Sequence, residues 1–177
     1  MKKLFAVMMT LCLMLSAVAA FAGEANVTIV NWSDHEADAA KIEGQFVKVA
    51  DSGFKKFIPA EFKDASANLT QADRDSGIFM VLKSEKDDKA VVNAQIVPKD
   101  ISSMVASLQQ DGRSVWEMRI NGLIAVQFSV EKDGVTSSCF AFGSNTDKTL
   151  VFTFMPVNQE PYTSLYKVMA SSIQDAQ

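Results

Sequence analysis

Catalysis and metal binding need side chains that move a proton, donate an electron pair or hold a cation, and this chain gathers few of them. Its one histidine, His35, stands in the run Asp34-His35-Glu36-Ala37-Asp38. An imidazole among three carboxylates is a ligand set for zinc or a hard cation by residue type. A metal-assisted hydrolase is the activity such a set would serve. A plainer reading competes with it. Ser33 and Glu36 have the spacing of a capping box, in which each side chain reaches the other's backbone N–H. Acidic residues at a helix start are also favoured by the helix dipole. Zinc would need ligands that so short a stretch does not supply, so a solvated helix start is expected.

Cys139 would need a nearby base and a depressed pKa to act as a nucleophile. In an apolar strand it is expected to be a small core filler. No G-x-S-x-G, phosphate loop or paired metal motif occurs. No catalytic, cofactor-binding or metal residues are therefore assigned, and neither a cofactor nor enzymatic activity is expected. Trp32, Trp116, Phe140, Phe142, Phe152 and Phe154 would together line a ligand cleft, but aromatics at period two on strands are expected in the core. Asn26, Asn31 and Asn68 open N-x-[ST] triplets, which matter only in a host that glycosylates exported proteins.

The elements that would position these residues begin after a leader. Lys2 and Lys3 precede an apolar run from Leu4 to Phe21 that ends in Ala20-Phe21-Ala22. This pattern reads as a bacterial secretory signal peptide over residues 1–22, cleaved after Ala22. Cys12 lies inside that run after Met9-Thr10-Leu11, without the small residues that precede a lipid-attachment cysteine, so a lipoprotein is not expected. Loss of Lys2 and Lys3 leaves 15 basic and 21 acidic residues, a net charge of −6. That balance disfavours nucleic acid and anionic membrane surfaces, which need basic patches. A single remaining cysteine allows no internal disulfide, and a core of this size folds without one.

The strongest organising signal runs from Ser114 to Pro156. Four apolar runs are separated by Asn121-Gly122, Asp133-Gly134 and a looser turn at Ser144 to Asp147. Both dipeptides tolerate positive φ at the two centres of a tight turn, the geometry that matches paired strands. An antiparallel meander is expected. Before it, Gln45–Ala50 and Phe54–Ile58 read as a hairpin closed by Pro59, and Gly77–Lys83 and Ala90–Val97 as a second. Val27–Val30 reads as a strand, a short helical turn around Phe62 is expected over Ala60–Asn68, and Leu69–Ser76 reads as a polar loop. Two helices show apolar stripes. One starts at the N-cap Asp100 and carries Ile101, Met104, Val105 and Leu108. The other runs from about Glu160 to Ile173 and carries Tyr162, Leu165, Tyr166, Met169 and Ile173. The last two meander strands are partly apolar on both faces, so the second face is expected to be covered as well, with the two helices as the obvious covers.

From Gln45 to Ile173 the order of these elements resembles the PsbP-like superfamily. The resemblance rests on F-x-x-F-I-P (Phe54–Pro59), Asn-Gly-Leu-Ile-Ala (Asn121–Ala125), L-V-F-T-F (Leu150–Phe154) and a closing amphipathic helix ending Met-Ala-Ser-Ser-Ile (Met169–Ile173). That superfamily includes photosystem extrinsic subunits, nuclear Ran-binding proteins and small exported bacterial proteins. The resemblance implies an α+β fold, an antiparallel sheet with helices packed on both faces as an α/β/α sandwich. It also implies an accessory or binding role, and it carries over no site residues. The expected organisation is a signal peptide (1–22), an N-terminal extension (23–44) and one PsbP-like domain (45–177). The expected protein is an exported monomer without a membrane span in its mature chain, periplasmic or extracellular. It would hold a protein partner or small ligand at its sheet face or loops. The alternatives are a hydrolase built on Asp34–Asp38 and a structural envelope component.

Overall fold

A computed structural model describes residues 27–144 and 147–176. The expected leader (with Cys12), Asn26 and the middle of the turn expected at Ser144 to Asp147 lie outside them. The chain runs β1 (Thr28–Val30), α1 (Glu36–Ala39), β2 (Gly44–Lys48), β3 (Phe54–Pro59), β4 (Phe62–Asp64), α2 (Gln71–Asp75), β5 (Ile78–Ser84) and β6 (Val91–Val97). It continues through α3 (Ile101–Gln110), β7 (Val115–Ile120), β8 (Leu123–Lys132), β9 (Val135–Gly143), β10 (Thr149–Met155), α4 (Tyr162–Ser171) and β11 (Gln174–Asp175).

Eight strands make one sheet in the order β1-β7-β8-β9-β10-β6-β5-β4, and three make a second in the order β11-β3-β2. Neighbours are antiparallel, except that β1 lies parallel to β7. The two-residue turns behave as their sequences require. Asn121 and Gly122 have φ of 51° and 82°, Asp133 and Gly134 of 53° and 76°. Both centres are left-handed, which keeps the strands twisted together. Strands β7 to β10 are successive neighbours in the sheet.

Pleating sends alternate residues to opposite faces. Register places Met118, Ile120, Ala125, Phe142, Leu150, Phe152 and Phe154 on one face, where they pack with Tyr162, Tyr166 and Met169 of α4 and with Phe54 and Ile58 of β3. The other face carries Val126, Phe128, Cys139, Ala141 and Val151, packed with Met104 and Val105 of α3. Asp100 caps α3 as expected, accepting the Ser103 N–H at 2.9 Å. Tyr166 donates from its hydroxyl to the Met155 carbonyl at 2.7 Å, pinning α4 to the end of β10.

The structure corrects several expectations. Helices alone do not cover the first face, because α4 shares it with the three-stranded sheet, whose edge strand β11 gave no sequence signal. Phe62 is the buried anchor it was expected to be, but on a strand, with a 3-10 turn following at Ser66–Asn68. The segment read as a polar loop holds α2, started by a capping box between Thr70 and Asp73. Ser33 does not cap a helix. It lies in a 3-10 turn (Trp32–Asp34), and His35 occupies the N-cap position of α1 without a side-chain hydrogen bond. Among the described residues no helix is long and apolar enough to cross a membrane.

Candidate functional site

The face covered by α3 is only partly covered. A ten-residue helix is about 15 Å long, while eight strands at about 4.8 Å spacing span roughly 34 Å. Beside α3 the sheet is left as an open groove of about 900 Å³, near the top of the range for sites that hold drug-sized molecules. Its floor is Phe128 and Val130 of β8, Ser137 and Cys139 of β9, and Val151, Thr153 and Met155 of β10; Met104 and Leu108 of α3 form one wall. The lining also includes Asp133 and Gly134 of the β8–β9 turn, and Pro156, Asn158 and Gln159 after β10. Most of this surface is aliphatic. Charge is confined to side chains at the margin: Lys89, Lys99 and Lys132 against Asp111 and Asp133. Lys99 Nζ reaches Ser107 Oγ on α3 at 3.4 Å.

Cys139 belongs to this floor and is 3% exposed. Its Sγ lies 3.5 Å from Thr153 Oγ1. Burial pushes the thiol pKa up from 9.0, with the Thr153 hydroxyl and the charge of Arg113 acting weakly the other way. A thiol held protonated is a poor nucleophile, so the expected filler role agrees with its surroundings.

The remaining candidates do not assemble. Among the described residues no three His, Cys, Asp or Glu side chains converge on a site that a metal could fill. The Asp34–Asp38 run therefore does not form the ligand set that the hydrolase reading needs. Asp38 instead pairs with Lys41 at 2.8 Å on the surface. The aromatics also divide. Phe142, Phe152 and Phe154 are fully buried in the core, with Phe140 edge-on to Phe154 at 5.7 Å. Trp32 packs with Phe46 and Phe57 on the outer side of the small sheet, and Trp116 is 53% exposed.

One group was missed. Lys56, the third residue of β3, is fully buried. Alternation along F-K-K-F-I turns it inward with Phe54 and Ile58. Its Nζ sits 4.5 Å from the ring centroid of Phe154 and 4.8 Å from that of Phe152, and it has no hydrogen-bond partner. Two effects oppose each other. Taking a lone ammonium out of water costs several kcal/mol, whereas aromatic faces return about 2 kcal/mol to a desolvated cation. Desolvation wins, and burial lowers the Lys56 pKa from 10.5 to about 7. The sequence held a weak signal for this. On a strand with Phe54 and Ile58 buried, strict alternation leaves one of the two adjacent lysines inside.

The fold is PsbP-like. The solution structure of the cyanobacterial PsbP (CyanoP) of Synechocystis sp. PCC 6803 is similar to it, with a TM-score of 0.54 at 13% identity, over 76% of this chain and 93% of that one. A crystal structure from Bacteroides thetaiotaomicron gives a TM-score of 0.50 at 7% identity over 77% of this chain, which spans half the length of that protein. At these identities the likeness is one of fold. No family model matches the chain, and no curated protein does.

Proposed function

We propose that the protein is an exported, non-catalytic accessory domain that holds a ligand in the groove beside α3. The observation that carries this reading is an aliphatic sheet face left open by the helix that lies on it. Sealing that face would be the cheaper way to build a merely structural domain, since apolar area left in water forfeits about 25 cal/mol per Å². The PsbP-like fold supports a role in partnership rather than catalysis. In this reading residues 1–22 are an export leader removed after Ala22, and residues 45–177 form the domain. Residues 23–44 are an extension whose β1 lies against β7.

The occupant that fits the lining is an elongated apolar molecule with one acidic group. Its body would lie on Val97, Leu108, Val130 and Met155, the half-buried apolar members of the lining, and its acid would meet Lys89, Lys99 or Lys132. Dodecanoate is a suitable probe, with dodecylammonium as its charge-reversed control. Dodecanoate is expected to raise the melting temperature of the protein and dodecylammonium to do so less. Thr153→Trp, which fills the floor, is expected to abolish both shifts while leaving the far-UV circular dichroism unchanged. No shift with either probe overturns the reading.

A second reading, a protein partner on the same face, rests on one observation. Ile29 and Ile124 are 65% and 53% exposed. Both lie beside Arg119 in register, on the α3 side of the sheet, and so extend the apolar floor towards the β1 edge. An envelope-fraction pull-down that loses its partner with Ile124→Asp, but not with Thr153→Trp, would favour it. The hydrolase draws no support from the geometry, because among the described residues no three such ligands converge on a site.

A further inference from the structure

The buried lysine lies between the two sheets. Lys56 projects from β3, in the small sheet, onto the rings of Phe152 and Phe154, in the large one. Its ammonium form carries three donors that need acceptors, and none is within reach. Its neutral form needs far less and packs as a long aliphatic chain against two aromatic faces.

We infer that Lys56 makes the seating of the small sheet on the aromatic face of the large sheet proton-sensitive: the contact is tight when the amine is neutral and loosens when it is charged. This inference is independent of what the groove holds.

The groups around Lys56 leave it as the titrating member. Within the core cluster α4 presents Tyr162 and Tyr166. Burial pushes the Tyr166 hydroxyl well above its ordinary 10.0, so it stays neutral while Lys56 titrates. β10 presents Phe152 and Phe154, β6 presents Val92 and Ala94, β9 presents Phe142, and β2 sets Val47 opposite Lys56 in register. The charged residues on β2, β3, α4 and β11 are Lys48, Lys55, Lys167 and Asp175, and those on the other strands of the core are Lys63, Asp64, Lys83, Glu117, Arg119, Glu131 and Lys132, all at exposed or half-exposed positions. Desolvation is the one cause that moves the Lys56 amine, so no charge close by compensates it.

The direction follows from proton counting. An unfolded or opened chain holds the Lys56 proton up to about pH 10.4, while the closed form releases it at about pH 7. Between those limits the open form binds more protons, so closure strengthens as pH rises, by up to tenfold in the equilibrium constant per pH unit. Below about pH 7 both forms are protonated and the weakening is complete.

Two measurements on the full mature chain test this. In the unsubstituted protein the Lys56 side-chain Cε resonance is followed by NMR against pH. It is expected to titrate near pH 7, apart from the surface lysines; titration together with them overturns the inference. In urea, the unfolding midpoint of the parent is expected to stay level from pH 6 to 7 and to climb towards pH 9.5. Lys56→Met, which keeps the chain length and removes the amine, is expected to lose that climb. The same climb in Lys56→Met also overturns the inference. Should that variant fail to fold, the NMR titration decides alone.

Discussion

The two faces of the large sheet are made from alternate residues of the same strands, yet they end in different states. On β10, Leu150, Phe152 and Phe154 enter a continuous core roofed by α4 and the small sheet. Their neighbours Val151, Thr153 and Met155 look into a groove walled by α3. Side-chain size explains the difference. The aromatic face meets further aromatic rings across the interface, Phe142 with Phe54 at 5.6 Å and Phe154 with Tyr166 at 5.4 Å. Large rings on both sides fill the space between layers and need two covering elements. The other face carries the single ring of Phe128 beside Val126, Cys139, Ala141 and Val151, which α3 packs against with Met104 and Val105. A sheet can thus be fully covered on one side and leave an open groove on the reverse.

The largest expected effect separates the two sides directly. Phe152→Ala should lower unfolding stability by about 3–5 kcal/mol, the cost of a large cavity in a closed core. Val151→Ala, one residue away, should cost only about 1–2 kcal/mol, because the groove lets the site relax. Urea denaturation of both variants checks the pair. Equal losses would mean that the groove side is as tightly packed as the aromatic side, and the distinction would collapse.

A smaller effect sharpens the comparison at the edge of the closed face. Asn121 Oδ1 accepts the Trp32 backbone N–H at 2.6 Å, and Asn121 Nδ2 donates to the carbonyls of Ser171 and Ile173, each at 2.7 Å. It therefore ties the β7–β8 turn to the segment after β1 and to the end of α4. Asn121→Asp keeps the acceptor but loses both donors and sets a carboxylate against two carbonyls. A loss of about 2–3 kcal/mol is expected, with faster amide exchange at the end of α4 and unchanged exchange in α3. Faster exchange in both helices would place them in one cooperative unit.

Much of this architecture was legible before any coordinates. Asn-Gly and Asp-Gly placed two turns, the period-two pattern placed β7 to β10, and the i, i+3, i+4 stripes placed α3 and α4. These are local signals, and tertiary packing reinforced them. The misses have a common cause. Lys56 and β11 depend on which layer lies above a strand, and a sequence window does not contain that layer. Phe62 was recognised as an anchor, but three residues do not reveal a helical or an extended period. Ser33 and Glu36 had capping-box spacing, yet the chain tightened into a 3-10 turn there and Thr70 with Asp73 formed the box instead. The groove was the hardest feature to foresee. Apolar residues on both faces of β9 and β10 said that both needed cover, but not that ten residues of α3 would fall short of the sheet's width.

The smallest expected effect concerns the helix that leaves the groove open. The Asp100 carboxylate accepts the Ser103 hydroxyl at 2.6 Å and the Ser103 backbone N–H at 2.9 Å, and these hydrogen bonds hold its pKa below 3.8. A carboxyl with a depressed folded-state pKa contributes stability above its unfolded value and loses it as pH falls through the folded one. Asp100→Ala should therefore lower the urea midpoint slightly at pH 7, and the gap from the parent should close as pH falls below 3.8. Because Asp100 starts α3, the loss should fall on the groove wall, with weaker dodecanoate binding and faster exchange in α3. Exchange in α4 and β3 should not change. If α4 lost protection equally, the two faces would unfold together, and the contrast between a closed side and an open side would describe surface shape alone.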